Sequence, residues 1–244
     1  MSQNTTPPTA AMIVIGDEIL SGRTRDSNMH FLAGELTRVG IPLTEVRVIS
    51  DDEAAIIAAV RALSAAHTYV FTSGGIGPTH DDITAPAVAA ALGAPIGIRD
   101  DARAILQAHY DAQGQELNAA RLRMARIPDG AALIDNPISA APGFILGNVH
   151  VMAGVPRIFE AMLAGVLPTL TGGAPLLSQS LRVDRGEGDI ATALSQLADE
   201  YSDLSIGSYP FNRDGVHGTN IVVRGTDGVR LDAAMVALTK LVKE

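Results

Sequence analysis

Short apolar runs alternate with stretches of helical periodicity over residues 11–92. Met12–Ile15 is fully apolar, and Leu32, Leu36 and Val39 then repeat at spacings of four and three, which is typical of a helix with one buried face. The same succession of apolar run and helical stripe occurs twice more in this segment. Successive strand–helix units of this kind predict a parallel sheet with right-handed crossovers.

The pattern becomes less regular in the middle of the chain. Leu117–Ala125 predicts a helix, and Gly147-Asn148 between two short apolar runs predicts a hairpin that adds an antiparallel edge to the sheet. Residues 169–175 read TLTGGAP, a composition typical of a linker. After this segment, the apolar positions predict the element order βαββα.

The patterns together predict an α/β protein with two domains. We expect a three-layer α/β/α domain with a mostly parallel sheet over residues 11–170 and a small α+β domain over residues 176–244. The polar residues 1–10 are predicted to be a disordered tail.

Composition and charge narrow the possible functions. The net charge is −9 and the only lysines are Lys240 and Lys243, so binding of a nucleic-acid backbone is not expected. The absence of cysteine excludes disulfides, thiolate metal sites and cysteine nucleophiles. Ala10–Ile15 is too short for a signal sequence or a membrane span. We therefore expect a cytoplasmic protein that has no membrane partner.

Residues 72–84, TSGGIGPTHDDIT, follow the third predicted strand and carry the strongest chemical signal. The segment is neither a P-loop, because no lysine lies within a hundred residues of it, nor the dinucleotide fingerprint G-x-G-x-x-G. A glycine-rich turn between a strand and a helix can direct several backbone N–H groups at one point. Thr84 can cap the helix that follows. An anion is therefore the expected ligand.

Carboxylates accompany this turn. Asp81 and Asp82 would repel a bound anion unless a cation lay between them, which favours Mg²⁺ or another divalent cation. Asp17-Glu18 follows the first predicted strand and Asp51-Asp52 the second, so the carboxylates are expected at one edge of the sheet. Because aspartate is also a common helix cap, the spacing alone leaves both interpretations open.

Five segments in order resemble the molybdopterin-binding-like (MoaB/Mog) domain family. Within it, the likeness is to the N-terminal region of competence/damage-inducible protein A (CinA) and of eukaryotic FAD synthases. The segments are GDEILSGRTRDSN (16–28), DD (51–52), TSGGIGPTHDDIT (72–84), NPISAAPGF (136–144) and AGVP (153–156). SIGSYPF at 205–211 also resembles the small domain that follows in these proteins.

The resemblance implies a domain that holds a nucleotide pyrophosphate or a pterin at the ends of its strands, in a homo-oligomer that is a dimer or a trimer. It implies metal-assisted attack at phosphorus, with Asp82 and Asp51 as the catalytic carboxylates and Asp82, Asp17 and Glu18 as metal-binding residues. The implied substrate-binding residues are Gly16, Ser21, Gly22, Asn28, Ser73, Gly74, Gly75, Gly77, Thr79, Asp81, Thr84, Asn136, Pro142, Gly143, Gly154 and Pro156.

Three functions remain open at this point. The first is a metal-dependent nucleotide pyrophosphatase, a hydrolase that acts on an ADP-ribose-like or dinucleotide substrate. The second is a module that binds molybdopterin or a nucleotide without turnover. The third is a molybdopterin adenylyltransferase. Ser139-Ala140 replace the glycine and threonine that the family usually has in this segment, so the resemblance does not identify the substrate.

Overall fold

Strand β1 (Ala10–Ile15) lies inside the larger of two sheets, and all six of its residues are buried. We describe the fold from a computed structural model that covers residues 7–213 and 216–242. The chain divides into two compact units, residues 1–173 and 174–244. Among the described residues, none of the helices combines the length and apolar character that crossing a membrane requires.

The first unit holds eight strands and seven α-helices among its described residues. In chain order they are β1 (Ala10–Ile15), α1 (Asp17–Leu20), α2 (Asn28–Arg38), β2 (Leu43–Ile49), α3 (Glu53–Ala66), β3 (Tyr69–Ser73), α4 (Thr84–Leu92), β4 (Ile96–Ile98), α5 (Asp100–Ala112), α6 (Ala119–Leu122), β5 (Arg126–Pro128), β6 (Ala132–Ile134), β7 (Gly143–Leu146), β8 (Val149–Met152) and α7 (Pro156–Val166). Two short 3₁₀ helices lie at Arg123–Ala125 and Leu167–Thr169.

The main sheet has the strand order β2-β1-β3-β8-β7-β6. The first four strands are mutually parallel, whereas β7 and β6 are antiparallel to their neighbours. The hairpin predicted at Gly147-Asn148 is present, and Gly147 has the positive φ of 59° that such a turn favours. β4 and β5 form a separate two-stranded ribbon.

Successive side chains of β1 point to opposite faces of the sheet, and the core of the first unit therefore has two layers. Ala11, Ile13 and Ile15 contact the layer that contains α3, α4 and α5, whereas Met12 and Val14 contact the layer of α2 and α7. A strand covered by helices on both faces has no polar position, which explains its uniform hydrophobicity. The predicted three-layer α/β/α fold is confirmed.

The second unit contains β9 (Leu177–Val183), α8 (Glu187–Glu200), β10 (Ser205–Arg213), β11 (Val216–Gly225) and α9 (Gly228–Leu241). Its antiparallel sheet has the order β10-β11-β9. Ile190 and Leu197 of α8 pack with Leu231 and Leu238 of α9 in one core. The predicted order βαββα is confirmed. Strands β10 and β11 are both longer than the apolar stretches of the sequence indicated.

Two boundaries differ from the sequence-based expectation. The helix predicted over Leu117–Ala125 is instead a four-residue helix, α6, capped by the Asn118 side chain and followed by a 3₁₀ turn, because the chain extends at Arg126 to pair with β4. The tail predicted for residues 1–10 ends earlier, since Ala10 donates its N–H to Pro42 O at 2.9 Å and begins β1. Residues 1–6 of that tail lie outside the described residues.

Candidate active site

The glycine turn after β3 takes a backbone path that side chains would obstruct. Gly74 has φ 106° and Gly75 has φ 69°. A Cβ atom on Gly74 would lie 2.3 Å from Ile15 O, and one on Gly75 would lie 2.1 Å from Thr84 Oγ1. Gly154, after β8, is also close, since a Cβ there would lie 3.1 Å from the Gly74 Cα atom. Glycine at these positions therefore keeps the ends of three neighbouring strands together.

Threonine hydroxyls and one aspartate hold the turn in shape. Thr84 Oγ1 donates to Gly74 O at 2.9 Å, and Thr84 N donates to Gly75 O at 2.9 Å. Thr84 is therefore the first residue of α4, and its side chain does not cap that helix as the sequence suggested, since the cap position is Ile83. Asp82 Oδ2 accepts from both Thr79 N and Thr79 Oγ1, at 2.7 and 2.5 Å.

A cavity of about 550 Å³ opens over this turn. Eleven residues implied by the family resemblance line it: Gly16, Glu18, Asp51, Gly74, Gly75, Gly77, Asp81, Asp82, Asn136, Gly154 and Pro156. The volume lies within the usual range for a small-molecule site, about 300–1,000 Å³. Most of the lining residues lie at or after the ends of β1, β2, β3 and β8, which is the expected location for a ligand of an open parallel sheet.

Four carboxylates face this cavity, from Glu18, Asp51, Asp81 and Asp82. Asp51 Oδ2 accepts a hydrogen bond from Asp17 N at 3.0 Å, which connects the loops after β1 and β2. Burial and the charges of Asp17, Glu18 and Asp81 raise the pKa of the Asp51 carboxyl above its usual value, and the hydrogen bond offsets this only in part. The carboxylates around Asp51 therefore repel its negative charge, and a bound cation would relieve the repulsion.

The carboxylates do not form a complete set of metal ligands by themselves. Within the described part of the chain, no group of three or more histidine, aspartate or glutamate side chains is placed to hold a metal ion. Mg²⁺ is commonly bound by one or two carboxylates together with water and substrate phosphates. The donor chemistry therefore fits a divalent cation that arrives with a phosphate ligand, and it leaves the metal-binding roles of Asp82, Asp17 and Glu18 as a prediction.

The first loop forms a recess beside the main cavity. Asn28 lies at the start of α2 and is 3% exposed; its Nδ2 donates to Ser73 Oγ at 2.7 Å and to Gly154 O at 2.8 Å. Asn28 Oδ1 is buried without a partner among the described residues. Asn28 and Ser73 both line this recess, whereas Ser21 and Gly22 lie outside the lining of both the recess and the cavity.

Asn136 organises another part of the cavity wall. Its Nδ2 donates to Ser139 Oγ and Ala141 O at 2.7 and 2.8 Å, and its Oδ1 accepts from the N–H groups of Ile138 and Ser139. These four bonds use the donor and acceptor capacity of the amide, so Asn136 shapes the loop that holds Ala140 at φ 60°.

The two residues that follow this loop have different surroundings. Pro142 lines a small recess beside the glycine turn. Gly143 is buried in β7, where a Cβ atom would lie 2.2 Å from Val151 O. Gly143 therefore allows close strand packing.

Residues 11–172 match the family model described as "Probable molybdopterin binding domain". The chain belongs to this family. Residues 175–244 match the model described as "FAD synthase, middle domain". The resemblance that the motifs indicated is thus confirmed for both parts of the chain.

Individual relatives agree with this placement in the family. A protein of Pyrobaculum calidifontis is 34% identical over 83% of this chain and 81% of its own length. A probable FAD synthase of Caenorhabditis elegans is 31% identical over 96% of this chain, and the chain spans about half the length of that relative. The solved structure of CinA from Thermoplasma acidophilum, 35% identical, aligns with a TM-score of 0.61 over 66% of this chain and 98% of that chain.

The binding residues that the resemblance implies do not include every residue that lines the site. Thr24, Met124 and Ser139 also line the cavity, and Arg123 and Arg126 line the small recess beside Pro142. The two arginines lie more than forty residues beyond the glycine turn in the sequence, Arg123 in the 3₁₀ turn after α6 and Arg126 at the start of β5. Because no short-range pattern connects them to the turn, spacing alone did not indicate them.

Proposed function

We propose that residues 11–172 form a metal-dependent nucleotide pyrophosphatase that hydrolyses an ADP-ribose-like or dinucleotide substrate. The observation that carries this proposal is the meeting of two features at one cavity. The glycine turn, Gly74 to Gly77, has backbone N–H groups after Gly74 that could bind an anion, and it lies beside four carboxylates that would repel the anion if no cation were present. Relatives named as probable FAD synthases support a nucleotide as the ligand.

Each group of residues has a separate task in the proposed reaction. The glycine turn holds the phosphates through backbone N–H groups, which also stabilise the charge that develops at phosphorus. Glu18 and Asp82 are the carboxylates that would hold the metal together with the substrate phosphates, and a bound Mg²⁺ would supply charge neutralisation and activation of water. Thr79 keeps the Asp82 carboxylate at the cavity through two hydrogen bonds.

Asp51 is the candidate to orient the attacking water. Its raised pKa makes it a better proton acceptor than an ordinary aspartate, because burial and neighbouring negative charges favour its protonated form. Its position after β2 and its hydrogen bond from Asp17 N hold the carboxylate in place.

The test is cleavage of the phosphoric anhydride bond by the purified chain. ADP-ribose, FAD, NADH and coenzyme A would each be incubated with Mg²⁺, Mn²⁺, Co²⁺ or EDTA, and the products separated by chromatography. Glu18→Gln is the most informative variant, because among the described residues the Glu18 side chain makes no hydrogen bond that the loop would lose. Glu53→Gln in the first turn of α3, outside the cavity lining, is the matched control.

We expect metal-dependent cleavage of one substrate, with kcat reduced on the order of 10²-fold in Glu18→Gln and unchanged in Glu53→Gln. Asp82→Asn would lower activity too, but it also disturbs the Thr79 hydrogen bonds and is harder to interpret. Binding without cleavage of any substrate would refute hydrolysis and support a non-catalytic binding module. Transfer of AMP to a pterin acceptor would instead identify an adenylyltransferase.

A further inference from the structure

The guanidinium of Arg123 carries a buried donor for which none of the described residues provides an acceptor. Arg123 begins the 3₁₀ turn that follows α6. Its Nε atom is buried and has no hydrogen-bond partner among the described residues. Because a donor on a charged group loses its hydration on burial, leaving it unpaired is unfavourable unless a bound group or a water accepts from it.

Arg123 lines a small recess next to the glycine turn. The recess has a volume of about 20 Å³, which is enough for a single oxygen-sized group. It shares Gly75, Gly77, Asp82 and Met124 with the large cavity, so the two spaces meet at the glycine turn. An oxygen atom of a ligand held by the turn could therefore enter the recess while the rest of the ligand occupies the cavity.

The two spaces differ in charge. Among the described residues, the lining of the large cavity includes four carboxylates and neither arginine nor lysine. The recess is lined by Arg123 and Arg126 and by one carboxylate, that of Asp82, which it shares with the cavity. A guanidinium donates charge-assisted hydrogen bonds that suit phosphate oxygens. Positive charge for an anion is thus available at the glycine turn from Arg123 and Arg126.

We infer that Arg123 forms an anion subsite of the candidate active site, in which its Nε–H donates to a non-bridging oxygen of a phosphoryl group held by the glycine turn. The identity of the ligand as a nucleotide pyrophosphate rests on the proposed function. The subsite gives the phosphoryl group a donor from the protein that does not depend on a metal.

Binding measurements with inorganic pyrophosphate, ADP-ribose and adenosine test this inference on the full chain. Isothermal titration calorimetry would be performed in Mg²⁺ and in EDTA. Arg123→Gln removes the charge and the Nε donor, and Arg123→Lys keeps the charge without that donor. Arg103→Gln, in α5 and outside the lining of both spaces, is the matched control for net charge.

We expect Arg123→Gln to raise the Kd for pyrophosphate and ADP-ribose at least about tenfold and to leave the Kd for adenosine within about twofold. Arg123→Lys should lie between Arg123→Gln and the wild type, and Arg103→Gln should match the wild type. The circular dichroism spectrum of each variant shows whether it is folded, and Arg123→Lys serves as the test if Arg123→Gln is not.

Several results would overturn the inference. They are an unchanged pyrophosphate affinity in Arg123→Gln, an equal loss in Arg103→Gln, an equal loss for adenosine, or no measurable pyrophosphate or ADP-ribose binding by the wild type. The proposed hydrolysis is tested separately. Loss of pyrophosphate binding in Arg123→Gln would support the subsite even if the wild type cleaved none of the substrates.

Discussion

Asp51→Asn is expected to make the ligand-free protein more stable while it removes activity. Asp51 is partly buried and its charge is repelled by Asp17, Glu18 and Asp81, which is why its pKa is raised. Asparagine keeps an oxygen that can accept the Asp17 N–H and removes the negative charge. In this account, the negative charge of Asp51 is needed for activity but lowers the free energy of unfolding of the ligand-free protein.

The sign of the pH dependence follows from the direction of the shift. An acid with a higher pKa in the folded state binds more protons when folded, so its contribution becomes less favourable as pH rises through the interval between the unfolded and folded values. The penalty from Asp51 is therefore absent in strong acid and complete at neutral pH. Since the carboxylate is only partly buried, solvent screening limits the gain from Asp51→Asn to less than about 1 kcal/mol.

Thermal denaturation in EDTA, followed by far-ultraviolet circular dichroism, measures this effect. For a unit of this size, a gain below about 1 kcal/mol corresponds to a rise in Tm of up to roughly 2–4 °C at pH 7, with little difference near pH 4. Asp52→Asn is the matched control, because Asp52 caps α3 through Ala55 N and asparagine can also cap. A lower Tm for Asp51→Asn than for Asp52→Asn at pH 7 would refute the reasoning.

Three further predictions concern the scaffold and the metal. Gly74→Ala should destabilise the protein by at least about 2 kcal/mol in urea denaturation, because Gly74 has φ 106° and the new Cβ atom would meet Ile15 O. The control Gly34→Ala, in α2, should be neutral or stabilising. Asn148→Ala should cost about 2–3 kcal/mol in the same assay, since it removes two bonds with Ser64 and one with His67 O; a cost below about 0.5 kcal/mol would contradict this. Adding Mg²⁺ with ADP-ribose should raise Tm more than either alone, and equal shifts with EDTA present would argue against a shared metal.

The order of strands and helices could be predicted from the sequence because each element carries its own local pattern. β1 is uniformly apolar since both its faces are covered, and α2 and α3 each show one buried stripe. The three-residue strands β4, β5 and β6 were not predicted, because runs of this length contain too little periodicity and their pairing is set by distant parts of the chain.

The candidate site could be predicted only where its residues follow strand ends. Asp51 and Asp82 come in the loops after β2 and β3, so their meeting at one edge follows from the topology of a parallel sheet. Arg123 reaches the glycine turn from the 3₁₀ turn after α6, and no sequence pattern indicates that approach. The same limit applies to Asn136, whose four hydrogen bonds within its own loop depend on a local backbone path.

The close approach of Gly74 and Gly154 makes their part of the cavity wall less tolerant of substitution than the part formed by longer side chains. A Cβ atom on Gly154 would lie 3.1 Å from the Gly74 Cα atom, and one on Gly74 would lie 2.3 Å from Ile15 O, so a side chain at either position requires the end of a neighbouring strand to move. Directed evolution toward a new ligand should therefore leave these positions unchanged. Its accepted substitutions should collect at Thr24, Met124 and Ser139, where side chains face the same cavity from loops.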